Sequence, residues 1–347
     1  MIMTTLKGSP REIGKAYGEK FKEQIQKNIR QFVDPNRDDL IARPGFQAWK
    51  ARYDAEIGVE IPWYREEMLA VAEAAEVDYD SILLLNLRSW QYNLYSDLAE
   101  DDCSSFIMRL SDGVDVNAGA LDDPAEVYCG PVRYVPDNGY TFVSFPLTGT
   151  SWGNRGMNSA GLAMGISSQR LPGMRSDERM WSQDVAMRVI LQTCETVEEV
   201  REFCNKHYFT INLVVSDARG GRLCIHNTVA GPVELPEGEY AAMTNHVVCD
   251  KFFNRFTDQG VTAFPESDTT RKRRSRLVNL IEQREGKADF DEVLAFLEKR
   301  YPDADGSIWN DRSIVLTAAC PAKDKNGLWL LYPTLNGDHF EKIDIVV

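Results

Sequence analysis

Along the first part of the chain, apolar residues return every three or four positions. Ser9-Pro10-Arg11-Glu12 has the form of a capping box with proline in the first turn. Ile13, Tyr17, Phe21, Ile25, Ile29 and Phe32 then mark one face of a helix. "DPNRDD" and "RPG" break the pattern, and further helices are predicted over about 45–57, 61–76 and 79–97. After residue 103 the period shortens to that of strands. The candidates are "SSFIMRL", "VDVNAGAL", "YTFVSFPL", "GLAMGISS", "INLVVSDA", "GRLCIHNT", "GEYAAMTN", "SIVLTAAC", "GLWLLYPT" and "FEKIDIVV", parted by Gly, Asp, Asn and Pro turns. Helical blocks at about 181–206 and 268–300 interrupt them. "FIM" and "LWLL" are apolar on both faces, which predicts stacked sheets covered by helices rather than a sheet with one wet face. No internal repeat or low-complexity linker divides the chain, so one compact domain with a helical N-terminal region is expected.

Composition narrows the function. Of the 347 residues, 43% are hydrophobic, enough for a large core. The net charge of −14 argues against nucleic acid and anionic membranes as partners, since both call for a basic surface. The first residues lack the pattern of a secretory signal, and the longest aliphatic run, "ILLLNL", is too short to cross a bilayer. Seven scattered cysteines with no Cys-x-x-Cys pair read as thiols in a reducing cytoplasm, not as a disulfide framework or zinc site. "DADGSIWND" lacks a full calcium-loop pattern and is expected to be a surface loop. No metal or redox cofactor is expected.

Cys103 stands at the junction between the helical and strand-rich parts, in "AEDDCSSF". A core hydrophobe is the ordinary role of an intracellular cysteine. Asp101 and Asp102, however, would raise a thiol pKa in the intact chain. They fit better if the Asp102–Cys103 bond is cut. Cys103 would then bear an α-amine with a pKa of about 7.7–8.0, close to that of a thiol at about 8.5. That amine can accept the thiol proton, so nucleophile and base are one residue. Asp122 in "GALDD" is either a turn acid or a carboxylate that orients such an ammonium, with Asp123 as the alternative. Asn245 in "MTNH" is either a turn residue or a neutral donor to a tetrahedral oxyanion. In "RKRRSR" (271–276), cations fall in the first turns of a helix, where each costs about 0.3–1 kcal/mol against the macrodipole. Leu277, Leu280 and Ile281 define that helix's apolar face, with Arg273 and Arg274 one turn earlier on it. Asn158, in the hairpin "GMNSAGLAMGIS", is a turn residue or a contributor to the site.

"CSSF", "GALDD", "GMNSAGLA", "MTNH" and "DTTRKRR", in this order, resemble the acyl-coenzyme A:isopenicillin N acyltransferase family, a branch of the N-terminal-nucleophile hydrolases. "GSPREIGKAYGE" and "ILLLNLRS" extend the resemblance through the helical region. It implies an α+β fold, a four-layer αββα sandwich of two mainly antiparallel sheets. It also implies a precursor that cuts itself before Cys103, leaving associated fragments 1–102 and 103–347 of 102 and 245 residues. The matching positions imply Cys103, Asp122 and Asn245 as catalytic residues, and Arg271 and Arg274 as anchors for a substrate carboxylate or for the structure near the site. The substrate would be a small N-acyl amide, with an acyl-coenzyme A thioester as cosubstrate only if the acyl group is transferred. Asp102 stands where such proteins usually have glycine, Ala120 where they often have asparagine, and Trp309–Asn310 where a basic residue is common. Two other readings remain open: an uncleaved thiol hydrolase pairing Cys103 with His207, His226, His246 or His339, and a non-catalytic binding protein of the same fold. A homo-oligomer is compatible with either.

Overall fold

The computed structural model describes residues 3–42, 46–86, 103–123, 125–151, 153–169, 181–228, 231–235, 240–248, 269–300, 307–321 and 327–346. Asp101 and Asp102 lie outside them, as does the Ser267–Asp268 start expected for the basic helix.

The N-terminal region opens with a strand that the sequence pattern did not announce, β1 (Thr4–Gly8). Helices α1 (Pro10–Asn28), α2 (Arg37–Ile41), α3 (Phe46–Glu60), α4 (Pro62–Ala75) and α5 (Tyr79–Asn86) follow. The Ser9 hydroxyl accepts from the Glu12 amide, and the Glu12 carboxylate accepts from Ser9 N, completing the capping box. Such a cap contributes about 0.5–2 kcal/mol. Two glycines let α1 lie directly on α4. A Cβ at Gly14 would sit 2.2 Å from the Glu67 carbonyl oxygen, and one at Gly18 would sit 2.7 Å from that of Val71.

Beyond residue 103, the strands are β2 (Ser104–Arg109), β3 (Asp115–Asp122), β4 (Val132–Pro136), β5 (Phe142–Ser144), β6 (Gly156–Asn158) and β7 (Ala163–Ser167). Helices α6 (Gln183–Thr193) and α7 (Val197–Lys206) come next. They are followed by β8 (Ile211–Ser216), β9 (Arg222–Thr228), β10 (Gly231–Glu234) and β11 (Ala242–Met243). Last come α8 (Thr269–Arg284), α9 (Phe290–Glu298), β12 (Ser313–Cys320), β13 (Gly327–Leu331), the short α10 (Pro333–Asn336) and β14 (Glu341–Ile343).

These strands build two sheets. The larger has the order β1-β4-β5-β6-β7-β8-β9-β10, and the smaller β11-β2-β3-β12-β13-β14. Every named strand pairing is antiparallel except β1 on β4, which runs parallel with Thr4 opposite Val132. The sheets pack face to face, with β2 and β3 of the smaller against β7 and β8 of the larger. All eight residues of β3 and of β12 are buried, as expected of strands covered on both faces.

Polar side chains also cross the gap between the sheets. Asn117 donates to the carbonyls of Ala163 (3.2 Å) and Val214 (3.0 Å), and the Ser105 hydroxyl donates to Ile166 O at 3.1 Å. Helices α1, α4, α6 and α7 form one outer layer, sharing a core with the larger sheet. Leu277 and Ile281 of α8, with Val293 and Leu297 of α9, cover Phe106, Met108, Ala118 and Leu316 of the smaller sheet from the other side. The result is the four-layer αββα sandwich of an α+β protein. Among the described residues, no helix is long and apolar enough to cross a membrane, and no group of His, Cys, Asp or Glu is arranged to hold a metal.

Candidate active site

Cys103 immediately precedes β2, the second strand of the smaller sheet, and is 3% exposed. Its Sγ donates to the carbonyl oxygen of Asp122 at 3.7 Å. Asp122 ends β3, the neighbour of β2, so strand pairing itself brings the two residues together. The Asp122 carboxylate is buried and held at both oxygens: Ser313 Oγ donates to Oδ1 (2.6 Å) and Asn310 Nδ2 to Oδ2 (2.9 Å). Asp123 Oδ2 accepts from the Tyr128 hydroxyl at 2.8 Å. The thiol thus meets Asp122 through its backbone.

Asn245 lies two residues beyond β11, which pairs with β2. Its Oδ1 accepts from Arg273 Nη2 at 2.9 Å, while its Nδ2 donates to the Ser168 carbonyl at 3.1 Å. Arg273 Nη1 donates to the Cys103 carbonyl (2.6 Å) and to Ser104 Oγ (2.8 Å). One buried guanidinium thus joins the cysteine to the asparagine and fixes which way the amide faces, because only its oxygen can accept from arginine.

Arg273, outside the expected pair Arg271 and Arg274, is the arginine that meets Cys103, a first correction, while Arg274 fits the expected anchoring of the structure near the site. Arg274 instead donates from Nε to the Ala242 carbonyl at 3.1 Å, bracing β11, and Arg271 is half-buried with Nε unpartnered among the described residues. Helical spacing carried the signal: Arg273 precedes Leu277 by four residues and Ile281 by eight, on the buried stripe. Asn158 is a second correction, because its amide has no capacity left for a substrate. Nδ2 donates to the Leu191 and Cys194 carbonyls (3.0 and 2.7 Å), and Oδ1 accepts from the Ala160 and Leu162 amides (3.1 and 2.9 Å). It ties the β6–β7 hairpin to the end of α6. "DADGSIWND" is a third. Ser307, Ile308 and Trp309 are buried, and Asn310 reaches the site through Asp122.

The sequence reading missed Arg155 entirely. It precedes β6, is 1% exposed, and donates from Nη2 to Ser104 O (2.8 Å), Ser105 Oγ (2.7 Å), Ala120 O (3.0 Å) and Ile166 O (3.2 Å). A polar contact therefore reaches Ala120 through its backbone. A charged residue in the small-residue run "SWGNRGMNS" was the only local sign.

The histidines have other partners. His226 Nδ1 lies 2.6 Å from Asn212 Oδ1, and its Nε2 accepts from the Val248 amide at 3.3 Å. His246 Nδ1 faces Thr270 Oγ1 (3.0 Å) and Thr244 Oγ1 (3.2 Å). Burial pushes both imidazoles down to about 3, helped at His226 by His246 and Arg274 and at His246 by Arg274, Arg271 and Arg273. His207 stacks on Trp181 and Phe203, and His339 is exposed beside Asp338.

Two packed sheets between helical layers, with the candidate residues gathered where a central strand begins, define the class of N-terminal-nucleophile hydrolases. Within it, the chain belongs to the family described as acyl-coenzyme A:6-aminopenicillanic acid acyl-transferase, whose model matches residues 105–313. The protein is accordingly an enzyme of the amide hydrolase or acyltransferase type. A search of the curated proteins gives no match. Among solved structures, the chain is similar to a penicillin V acylase from Agrobacterium tumefaciens, at 17% identity over 70% of this chain and 86% of that one, with a TM-score of 0.48. A variant of the conjugated bile acid hydrolase from Clostridium perfringens gives 13% identity, 70% and 92% coverage and a TM-score of 0.48. The Caenorhabditis elegans ortholog of N-acylethanolamine-hydrolyzing acid amidase gives 13%, 70% and 100%, with a TM-score of 0.46.

Proposed function

We propose that this enzyme is a self-processing N-terminal-cysteine amidase that hydrolyses a small N-acyl amide. In processing, the Cys103 thiol attacks the Asp102 carbonyl carbon. The Asp102–Cys103 C–N bond breaks as the acyl group moves to sulfur, and the departing nitrogen becomes the α-amine of Cys103. Water then cleaves the thioester and leaves a carboxylate on Asp102. Residues 1–102 and 103–347 remain together as one compact unit.

In turnover, the α-amine takes the thiol proton as Sγ bonds to the acyl carbon of the substrate. An amide carries two N–H donors, and Asn245 commits one to Ser168, so the other is the oxyanion donor. The ammonium returns its proton to the leaving amine, and the carboxylate of Asp122 orients and stabilises that ammonium. Water completes hydrolysis of the thioester. An amine in place of water would give transfer, with an acyl-coenzyme A thioester as a possible acyl donor.

The observation that carries this reading is the Arg273 bridge, which links the carbonyl of Cys103 to the amide of Asn245 while strand pairing brings Asp122 to the thiol. The burial of Cys103 also suits a thiol whose first acyl partner is the chain's own preceding peptide. Intact-mass measurement tests the proposal. Fragments of 102 and 245 residues are expected from the wild type, and a single full-length chain from Cys103→Ala. A wild-type chain that stays full-length yet turns over N-acyl amides would overturn self-processing.

A further inference from the structure

Arg155 is buried between the two sheets, and its hydrogen-bond partners among the described residues are all neutral. They are the carbonyls of Ser104, Ala120 and Ile166, the Ser105 hydroxyl, and Thr317 Oγ1 at 3.3 Å from Nη1. A buried charge is ordinarily matched by an opposite one. Among the described residues, the groups within electrostatic reach of this guanidinium that can carry negative charge are Cys103 and Asp122.

The backbone reserves the space it fills. A Cβ at Gly119 would stand 2.8 Å from Arg155 Nη1 and 1.9 Å from the Ser104 carbonyl oxygen. One at Gly165 would stand 3.1 Å from Nη1 and 2.8 Å from Ser105 Oγ. Two strands that face each other across the sheets, β3 and β7, thus lack side chains where the guanidinium lies. Burial draws its pKa down to about 10, which leaves it charged at neutral pH.

We infer that Arg155 is a positioning residue for the Cys103 nucleophile, fixing the start of β2 against β3 and favouring the thiolate over the thiol. This rests on the reading of Cys103 as nucleophile. Among the described residues, the charged side chains around the thiol are Asp122 from β3, Arg273 from α8 and Arg155 from between the sheets, joined after processing by the α-ammonium of Cys103 itself. Of these three side chains two are cations and one is an anion, and removing Arg155 leaves one of each. Mutual attraction also explains why Arg155 needs no carboxylate of its own: the reacting sulfur supplies part of the compensation when it ionises.

The test is the pH dependence of Cys103 alkylation by iodoacetamide, read by peptide mass mapping on the full protein, with 4-nitrophenyl acetate turnover measured in parallel. Arg155→Met is expected to raise the alkylation midpoint by about one pH unit, about tenfold less thiolate at neutral pH. Arg155→Lys is expected to keep the midpoint near that of the wild type but lose turnover, because an ammonium cannot span the oxygens of Ser104, Ala120 and Ile166. A folded Arg155→Met protein with the wild-type midpoint overturns the inference. Should that variant fail to fold, Arg155→Gln removes the charge while keeping an amide donor for the oxygens around it, and an unmoved midpoint there has the same meaning. If alkylated wild-type Cys103 still supports turnover, the nucleophile reading itself fails. If alkylation abolishes turnover while the midpoint ignores residue 155, only the role of Arg155 fails.

Discussion

Two arginines are buried on opposite faces of the larger sheet, and they are treated differently. Arg188, on α6, meets the Glu67 carboxylate with two parallel hydrogen bonds of 3.1 and 2.9 Å. It also donates to Gln192 Oε1 and lies over the rings of Tyr134 (4.2 Å) and Phe142 (4.8 Å). Arg155, facing the other sheet, has only neutral oxygens, and its Nε has no partner among the described residues. The helix-side charge is matched and immobile, as suits a structural seam. The inter-sheet charge is left under-compensated beside the residue proposed to change its own charge during reaction. Burial raises the Glu67 carboxyl above its ordinary value and Arg188 pulls it back, so even the matched pair has a desolvation cost.

The contrast can be broken most directly at Glu67. Glu67→Ala leaves Arg188 buried without a counter-charge and is expected to cost about 3–5 kcal/mol in urea unfolding. Replacing both partners with apolar residues should restore much of that loss. An unchanged unfolding midpoint in Glu67→Ala would erase the distinction. On the site side, Asn245→Ala should cost about 1–3 kcal/mol, because it strands an Arg273 N–H and the Ser168 carbonyl, and should lower kcat by about 100- to 1000-fold, the usual effect of removing one oxyanion donor. Turnover within threefold or so of the wild type would dismiss Asn245 from that role. Arg155→Met should destabilise by about 1–3 kcal/mol, less than Glu67→Ala, because it strands neutral acceptors rather than a charge.

The gentlest probe is pH. His226 and His246 have folded-state pKa values of about 3, against an ordinary 6.5. The unfolded chain therefore takes up protons that the folded one refuses. Stability is complete above pH 6.5 and falls as pH drops from there towards 3, by about 1.4 kcal/mol per unit for each ring. His246→Gln should remove one ring's share of that slope, measured as urea midpoints across the acidic range. An unaltered slope would mean that His246 already titrates normally in the folded protein.

The elements most legible in the sequence were those whose pattern is local. Strands β2, β3, β8 and β12 announced themselves as apolar runs, and the α1 start as a capping box. β1 did not: "TTLKG" has one buried side chain and owes its strand form to β4, more than a hundred residues away. The junction thiol and its strand neighbour Asp122 could be read from order and spacing. Arg273 was within reach on helical periodicity, but the family-like pairing drew attention to Arg271 and Arg274. Arg155 was not, because its acceptors come from residues 104, 105, 120, 166 and 317, and no short window contains that meeting. Asn158 shows the converse: a motif position can be kept by hairpin geometry alone.

The parallel pairing of β1 with β4 has a consequence for any chain divided before Cys103. The first fragment would supply the edge strand of the larger sheet, so its departure would bare β4 as a hydrogen-bonding edge. Recovery from denaturant would then be a second-order process, faster in concentrated samples, unlike that of the uncut precursor. A dilute preparation could lose activity through dissociation with its chemistry intact, and added N-terminal fragment would restore it.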